Sequence, residues 1–210
     1  MTAAETPDAV DGLRRLGVMG GTFDPIHNGH MVAAREAMAA LALDRVLFVP
    51  TGDPWQKDRY SDPEDRFSMT LLAASTDLRF AVSRMEIDRP GPTYTAETMT
   101  QLRDFYGDGV ELFFIIGADA LERLSTWEGL QELAETTELV AVTRPGAKLR
   151  GAQPDEEWPV VHLVEITEMD VSATEIRERV ARGQSIGGMV PEPVARYIAQ
   201  HSLYRTGDGG

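Results

Sequence analysis

The sequence predicts an α/β fold, a doubly wound, mostly parallel sheet with helices on both faces, and three observations lead there. Short segments rich in Val, Ile, Leu and Phe recur along the 210 residues, as strands buried on both faces do. Helical segments separate them, and this βαβα order implies a parallel sheet. A glycine pair, Gly20-Gly21, stands between the first strand and the first helix. Backbone without side chains comes close to a ligand there, and the following helix N-terminus favours an anion.

The first strand candidate is the apolar run Leu16–Met19, followed by the alanine-rich helix His30–Leu41. Next come strand Arg45–Val49, helix Pro63–Ser75, strand Arg79–Val82 and helix Thr95–Tyr106. Strand Glu111–Ile116, helix Trp127–Glu135, strand Glu138–Thr143 and strand Val160–Val164 continue the series. Helices Ala173–Arg182 and Glu192–Gln200 close it. This is a Rossmann-like order, in which ligands bind outside the carboxyl ends of the strands. Gly20–His30, Gly117–Asp119 and Thr143–Gly146 all follow strands and so share one rim. We expect one domain over residues 12–205, with residues 1–11 and 206–210 as flexible ends.

Composition narrows the function. The net charge is −14, which leaves no basic excess for a nucleic-acid backbone. A small phosphorylated ligand needs only a few local positive groups and stays open. No apolar run is long enough to span a membrane, about 18 residues or more. The N-terminus has neither the basic nor the apolar region of a secretory signal. Cysteine is absent, which excludes disulfides and thiolate metal sites. A cytoplasmic protein fits best.

The segment Gly20-Gly21-Thr22-Phe23-Asp24-Pro25-Ile26-His27-Asn28-Gly29-His30 has neither the G-x-G-x-x-G spacing nor the P-loop lysine. It offers instead His-x-Gly-His at a helix start, a place for phosphate with chemistry attached. Histidines three apart on a helix also suit a metal, though no third ligand stands out, and two structural histidines are the plain alternative. Far along the chain, Val171-Ser172-Ala173-Thr174-Glu175-Ile176-Arg177 reads as a capping box, Ser172 with Glu175. Arg177 lies beyond what capping explains. With Ser172, Thr174 and the free helix N–H groups it makes a grip for a polyphosphate. The loop Thr51–Asp58, carrying Trp55 and Lys57, is a candidate flap. The acidic loop Gly146–Pro159 reads as a solvated insertion.

Together, Gly20–His30 and Val171–Arg177 resemble the H-x-G-H nucleotidyltransferase superfamily and, within it, the bacterial nicotinate-nucleotide adenylyltransferases. The likeness runs from Gly17 to about Tyr204. The family's G-G-T-F-D-P-x-H-x-G-H is matched throughout. Its I-S-S-T-x-I-R is matched except that Val171 and Ala173 replace Ile and the second Ser. Pro92-Thr93-Tyr94-Thr95, Gly117-Ala118-Asp119 with Leu121, Leu124 and Trp127, and Arg144-Pro145-Gly146 resemble further family segments. Pro54-Trp55-Gln56-Lys57 shares only its proline and lysine with the family's P-P-H-K.

The resemblance implies that ATP and nicotinate mononucleotide give deamido-NAD and pyrophosphate, with Mg2+ accompanying ATP. The mononucleotide phosphate attacks the ATP α-phosphorus in line, with no covalent enzyme intermediate. It implies catalytic roles for His27, His30 and Arg177. ATP-binding roles fall to Gly20, Gly21, Thr22, Phe23, Gly117, Asp119, Ser172, Thr174 and Ile176. Lys57, Thr95, Trp127 and Arg144 are the candidate acceptor contacts, with Trp127 stacking on the pyridine ring. Core packing for Trp127 and a helix cap for Thr95 are the alternatives. The expected partners are these small molecules, with no nucleic acid and no membrane, and there is room for a homo-oligomer. Nicotinamide-mononucleotide and phosphopantetheine adenylyltransferases are the alternative activities, and a nucleotide-sensing or interaction domain is the non-enzymatic one.

Overall fold

The computed structural model describes residues 12–52, 61–144, 146 and 158–205. The two chain ends, the Trp55–Lys57 loop and the acidic patch Asp155–Glu157 lie outside the described residues.

Six strands form one sheet. They are β1 (Arg15–Gly21), β2 (Arg45–Pro50), β3 (Phe80–Val82), β4 (Glu111–Gly117), β5 (Glu138–Thr143) and β6 (Val161–Glu165). Their order is β3-β2-β1-β4-β5-β6, and every pairing is parallel. The sheet is thus more uniform than the mostly parallel one expected. The chain winds outward from β1 to β3, then returns to lay β4 on the other side of β1. That reversal puts a crevice beyond the carboxyl ends of β1 and β4, the usual ligand position in such sheets.

The helices are α1 (Asn28–Ala40), α2 (Pro63–Ala74), α3 (Thr95–Tyr106), α4 (Ala118–Leu121), α5 (Leu130–Thr136), α6 (Ala173–Ala181) and α7 (Glu192–Gln200). Alternation along the strands sorts their side chains onto two faces. Met19, Val46, Phe48, Phe113 and Ile115 meet α1, α2, α6 and α7 on one face. Leu16, Val18, Leu47, Val49, Leu112 and Phe114 meet α3, α4 and α5 on the other. Both faces are buried, which is why the strand segments read as continuous apolar runs rather than alternating ones. Gly17 lets the first face close tightly. A Cβ there would stand 2.8 Å from Leu43 Cδ1 and 3.1 Å from Ile115 Cδ1.

Helix α3 has the expected bounds, while other elements shift at their ends. Helix α1 begins two residues early, because His27 is its extended N-cap residue. Helix α3 is capped by Tyr94, so Thr95 is its first helical residue and not its cap. The expected helix Trp127–Glu135 begins three residues late, as α5, and a 3₁₀ turn at Leu124–Thr126 precedes it. Gly129 separates them in the left-handed region (φ 73°). Strand β3 has only three residues, since it lies at the sheet edge.

Candidate active site

The loop after β1 turns back on itself under strain. Phe23 is buried with φ of 50°, a conformation that costs a non-glycine residue about 1 kcal/mol or more. Its ring packs edge-on against His30 (5.1 Å) and Phe48 (5.9 Å). Gly21 makes the turn-back possible, because a Cβ there would meet the Phe23 ring at 3.0 Å. Gly20 is likewise held close, 3.1 Å from the Phe114 ring by the same measure.

His27 and His30 come together as a stacked pair, with ring centroids 3.7 Å apart. The His27 backbone N–H donates to His30 Nδ1 at 3.2 Å. His30 Nδ1 is therefore an acceptor, and the ring proton of the neutral form sits on Nε2. Among the described residues, His27 Nδ1 is buried without a partner. Burial lowers His27 to about 4, and burial together with His27 takes His30 well below its usual value. Both rings are neutral near pH 7. They offer hydrogen bonds rather than charge. Gly29 is what allows the pair, since a Cβ there would stand 3.0 Å from His27 Nδ1 and 3.3 Å from Val171 Cγ1.

The same contact shows that the second motif has arrived. The N-terminus of α6 lies against that of α1. Ser172 caps α6, accepting from the Glu175 N–H at 3.2 Å. The capping box is only half formed, because the Glu175 carboxylate pairs with Arg179 one turn on (3.0 Å). Arg177 reaches across to the first motif, donating to the Asp24 carbonyl at 2.7 Å and to Thr174 Oγ1 at 3.2 Å. Ile176 is fully buried in the core, and its N–H donates to the Ser172 carbonyl. Its side chain anchors α6 and does not face the rim.

Two residues outside the candidate set hold this arrangement. Asp24 is buried. Its carboxyl accepts from Tyr204 OH (2.7 Å) and the Ser61 N–H (3.2 Å), while its carbonyl takes Arg177. Asp24 therefore does more than shape its turn. Arg66 on α2 is 0% exposed. Its guanidinium donates to the carbonyls of Thr22 (2.9 Å), Thr51 (2.6 Å), Gly52 (2.8 Å) and Ser61 (3.3 Å). It joins the loop after β1 to the chain on both sides of residues 53–60. A buried, pre-shaped fork of donors suits that task.

Next to the glycine pair is a cavity of about 330 Å³ lined by Gly20, Gly21, Thr51, Glu86, Thr95 and Trp127, among others. It continues into an outer one of about 770 Å³ that shares Thr51, Thr95 and Trp127 and adds Tyr94 and Arg123. Trp127 is half-buried and stands edge-on to Phe114 at 6.2 Å. One part of the ring packs on the core while another lines the cavity. Gly117 ends β4, and the Asp119 carboxylate folds back over it, 2.5 Å from where a Cβ would be. Arg144 is off to the side, its side chain 71% exposed and paired with Glu168 at 2.9 Å. Lys57 lies outside the described residues. Among the described residues no three His, Cys, Asp or Glu converge as a cation cage.

The cytidylyltransferase-like family model matches residues 18–179. The chain is 50% identical over 199 residues to a probable nicotinate-nucleotide adenylyltransferase of Saccharopolyspora erythraea, covering 93% of this chain and 92% of that protein. It is 47% identical to a counterpart in Clavibacter sepedonicus over 98% of this chain and 99% of that one. In fold it is similar to the Plasmodium falciparum nicotinic acid mononucleotide adenylyltransferase complexed with NaAD. That match has a TM-score of 0.72 at 16% identity, with 91% of this chain and 97% of that one covered.

Proposed function

The chain belongs to the cytidylyltransferase-like family and, within it, to the nicotinate-nucleotide adenylyltransferases, and from that premise we propose how its rim performs the reaction. The enzyme joins ATP and nicotinate mononucleotide to give deamido-NAD and pyrophosphate. An oxygen of the mononucleotide 5′-phosphate attacks the ATP α-phosphorus in line. The bond from that phosphorus to the oxygen bridging to the β-phosphate breaks, and pyrophosphate leaves with the electron pair. The nucleophile is already anionic, so the protein's work is positioning and charge stabilisation.

ATP lies along the glycine pair with its phosphates between the N-termini of α1 and α6. The observation that carries this reading is the junction of the two motifs there, Arg177 bonded to the loop that holds His27 and His30. Arg177 gives fixed positive charge, and His30 gives a neutral Nε2–H donor. Ser172 and Thr174 add hydroxyls, and Gly117 and Asp119 meet the nucleotide at the end of β4. Mg2+ enters as part of the ATP substrate. Such a cation would help neutralise the charge that develops on the departing pyrophosphate. The mononucleotide takes the Thr95–Trp127 cavity with its pyridine ring on Trp127. Arg144 and Lys57 are its candidate phosphate contacts. Among the described residues no helix is long and apolar enough to cross a membrane.

The test is pyrophosphate release from ATP with a panel of acceptors. Nicotinate mononucleotide should give the highest kcat/KM. A preference for nicotinamide mononucleotide or phosphopantetheine would overturn the acceptor assignment, and ATP binding without release would overturn catalysis. In the same assay His30→Ala should lower kcat by ~10²–10³ through loss of one donor. Near-normal turnover of that variant would remove His30 from the chemistry.

A further inference from the structure

One buried acid near the acceptor cavity has no part in the mechanism above. Glu86 is 7% exposed, and glutamate is almost never so buried without a partner or a task. It follows β3 and lines the inner cavity beside Thr93, Thr95 and Trp127. Its backbone is pinned, because the Glu86 carbonyl packs on Gly52 so closely that a Cβ there would be 2.0 Å from it. Its side chain is aimed from behind. The Thr98 hydroxyl donates to Glu86 Oε1 at 2.7 Å, and Arg89 Nη1 donates to that hydroxyl at 3.2 Å. Arg89 is in turn held by Gln101 (2.7 Å) and Glu97 (3.4 Å). Such a backed chain fixes a group in one orientation.

A carboxyl held in this way offers hydrogen-bond acceptance to whatever fills the cavity. Nicotinate mononucleotide has little to give in return. Its phosphate and its ring carboxylate are anions, which Glu86 would repel, and its pyridine ring has no N–H. Its ribose hydroxyls are its only strong donors at neutral pH. We infer that Glu86 is a substrate contact, accepting a hydrogen bond from a ribose hydroxyl of the bound mononucleotide. This deepens the acceptor reading and rests on it. Burial pushes the Glu86 carboxyl up in pKa, while its bonds to Thr98 and Thr93 and the nearby Arg89 hold it down. A ribose hydroxyl would complete the same shell.

The experiment compares nicotinate mononucleotide with its 2′-deoxy and 3′-deoxy analogues, in the wild type and in Glu86→Gln. The wild type should lose ~10- to 100-fold in kcat/KM on one of the two analogues, as for a hydrogen bond to a charged group. Glu86→Gln, whose amide keeps an oxygen for Thr98, should lose a similar factor on the full substrate and little more on that analogue. Its KM for ATP should stay within about twofold. The inference is overturned if neither analogue costs the wild type more than about threefold. That arm needs no variant to fold. It is overturned too if the losses from deoxygenation and substitution multiply, or if the ATP KM moves in place of the mononucleotide's. A wild type that turns over no nicotinate mononucleotide would instead sink the acceptor reading, and this inference with it.

Discussion

The two histidines act as hydrogen-bonding groups because they are buried, and that carries a cost in acid. The unfolded chain protonates histidine near pH 6.5, whereas burial lowers His27 to about 4 and takes His30 well below its usual value. Between those limits the unfolded state binds more protons than the folded one, so stability is full above pH ~6.5 and falls as pH drops. Each histidine costs at most about 1.4 kcal/mol per pH unit, less where solvent screens it. In urea denaturation at pH 7.5 and pH 5, His27→Gln should lose less stability over the interval than the wild type. Parallel losses would show that His27 is not buried as a neutral ring. Arg66 holds backbone carbonyls from several segments. Arg66→Met strips the donors from the carbonyls of Thr22, Thr51 and Gly52 and should cost about 3–5 kcal/mol. Arg66→Lys should recover only part of it, because an ammonium cannot fork. A loss below about 1 kcal/mol in Arg66→Met would mean that water takes over those carbonyls.

At the scale of elements, the helix and strand series was legible because the sheet is buried on both faces and each strand carries a nearly unbroken apolar run. The misplacements have local causes. The start of α1 was hidden because histidine stands where serine or aspartate usually caps. The segment after Trp127 reads as one helix because its leucines keep helical spacing. Gly129 is the left-handed N-cap, so α5 begins only after it, and a left-handed glycine is not visible from periodicity. The motif residues His27, His30, Ser172, Thr174 and Arg177 were legible, and the structure brings them together. Asp24, Arg66 and Glu86 were not, since their partners are carbonyls and hydroxyls from distant segments that only the fold assembles. Gly129 gives a test at this scale. A Cβ there would meet Ala96 Cβ on α3 at 2.6 Å, at a positive φ. Gly129→Ala should thus cost about 2–3 kcal/mol by strain and overpacking. It should raise the mononucleotide KM more than the ATP KM, because it pushes the turn beside Trp127 away from Thr95. Thermal denaturation with the two KM values checks both parts. An unshifted Tm would mean that α3 and α5 separate freely.

Across the whole molecule, the site is closed by ties between the two ends of the described chain. The Asn28 N–H and amide reach the carbonyls of Met189 and Gly188. Tyr204 OH donates to Asp24 Oδ1 across 180 positions. Burial and the neighbouring Asp24 raise the Tyr204 pKa, so the phenol stays a donor at any working pH. The carbonyl of that same Asp24 holds Arg177, so the tie lies one residue from the proposed phosphate grip. Tyr204→Phe keeps the ring in its place and removes only the hydroxyl. Losing a hydrogen bond to a carboxyl in a buried setting should cost about 1.5–3 kcal/mol. The carboxyl would keep the Ser61 N–H, but the loop would be freer to shift, and with it the carbonyl on which Arg177 is aligned. ATP KM should therefore rise several-fold, while the mononucleotide KM, set on the proposed reading in the Thr95–Trp127 cavity, stays near the wild-type value. Urea denaturation and steady-state kinetics on the full chain read the two effects separately. A stability loss with both KM values unchanged would confine Tyr204 to holding the fold. A rise in ATP KM alone would mark the C-terminal segment as part of what aligns Arg177.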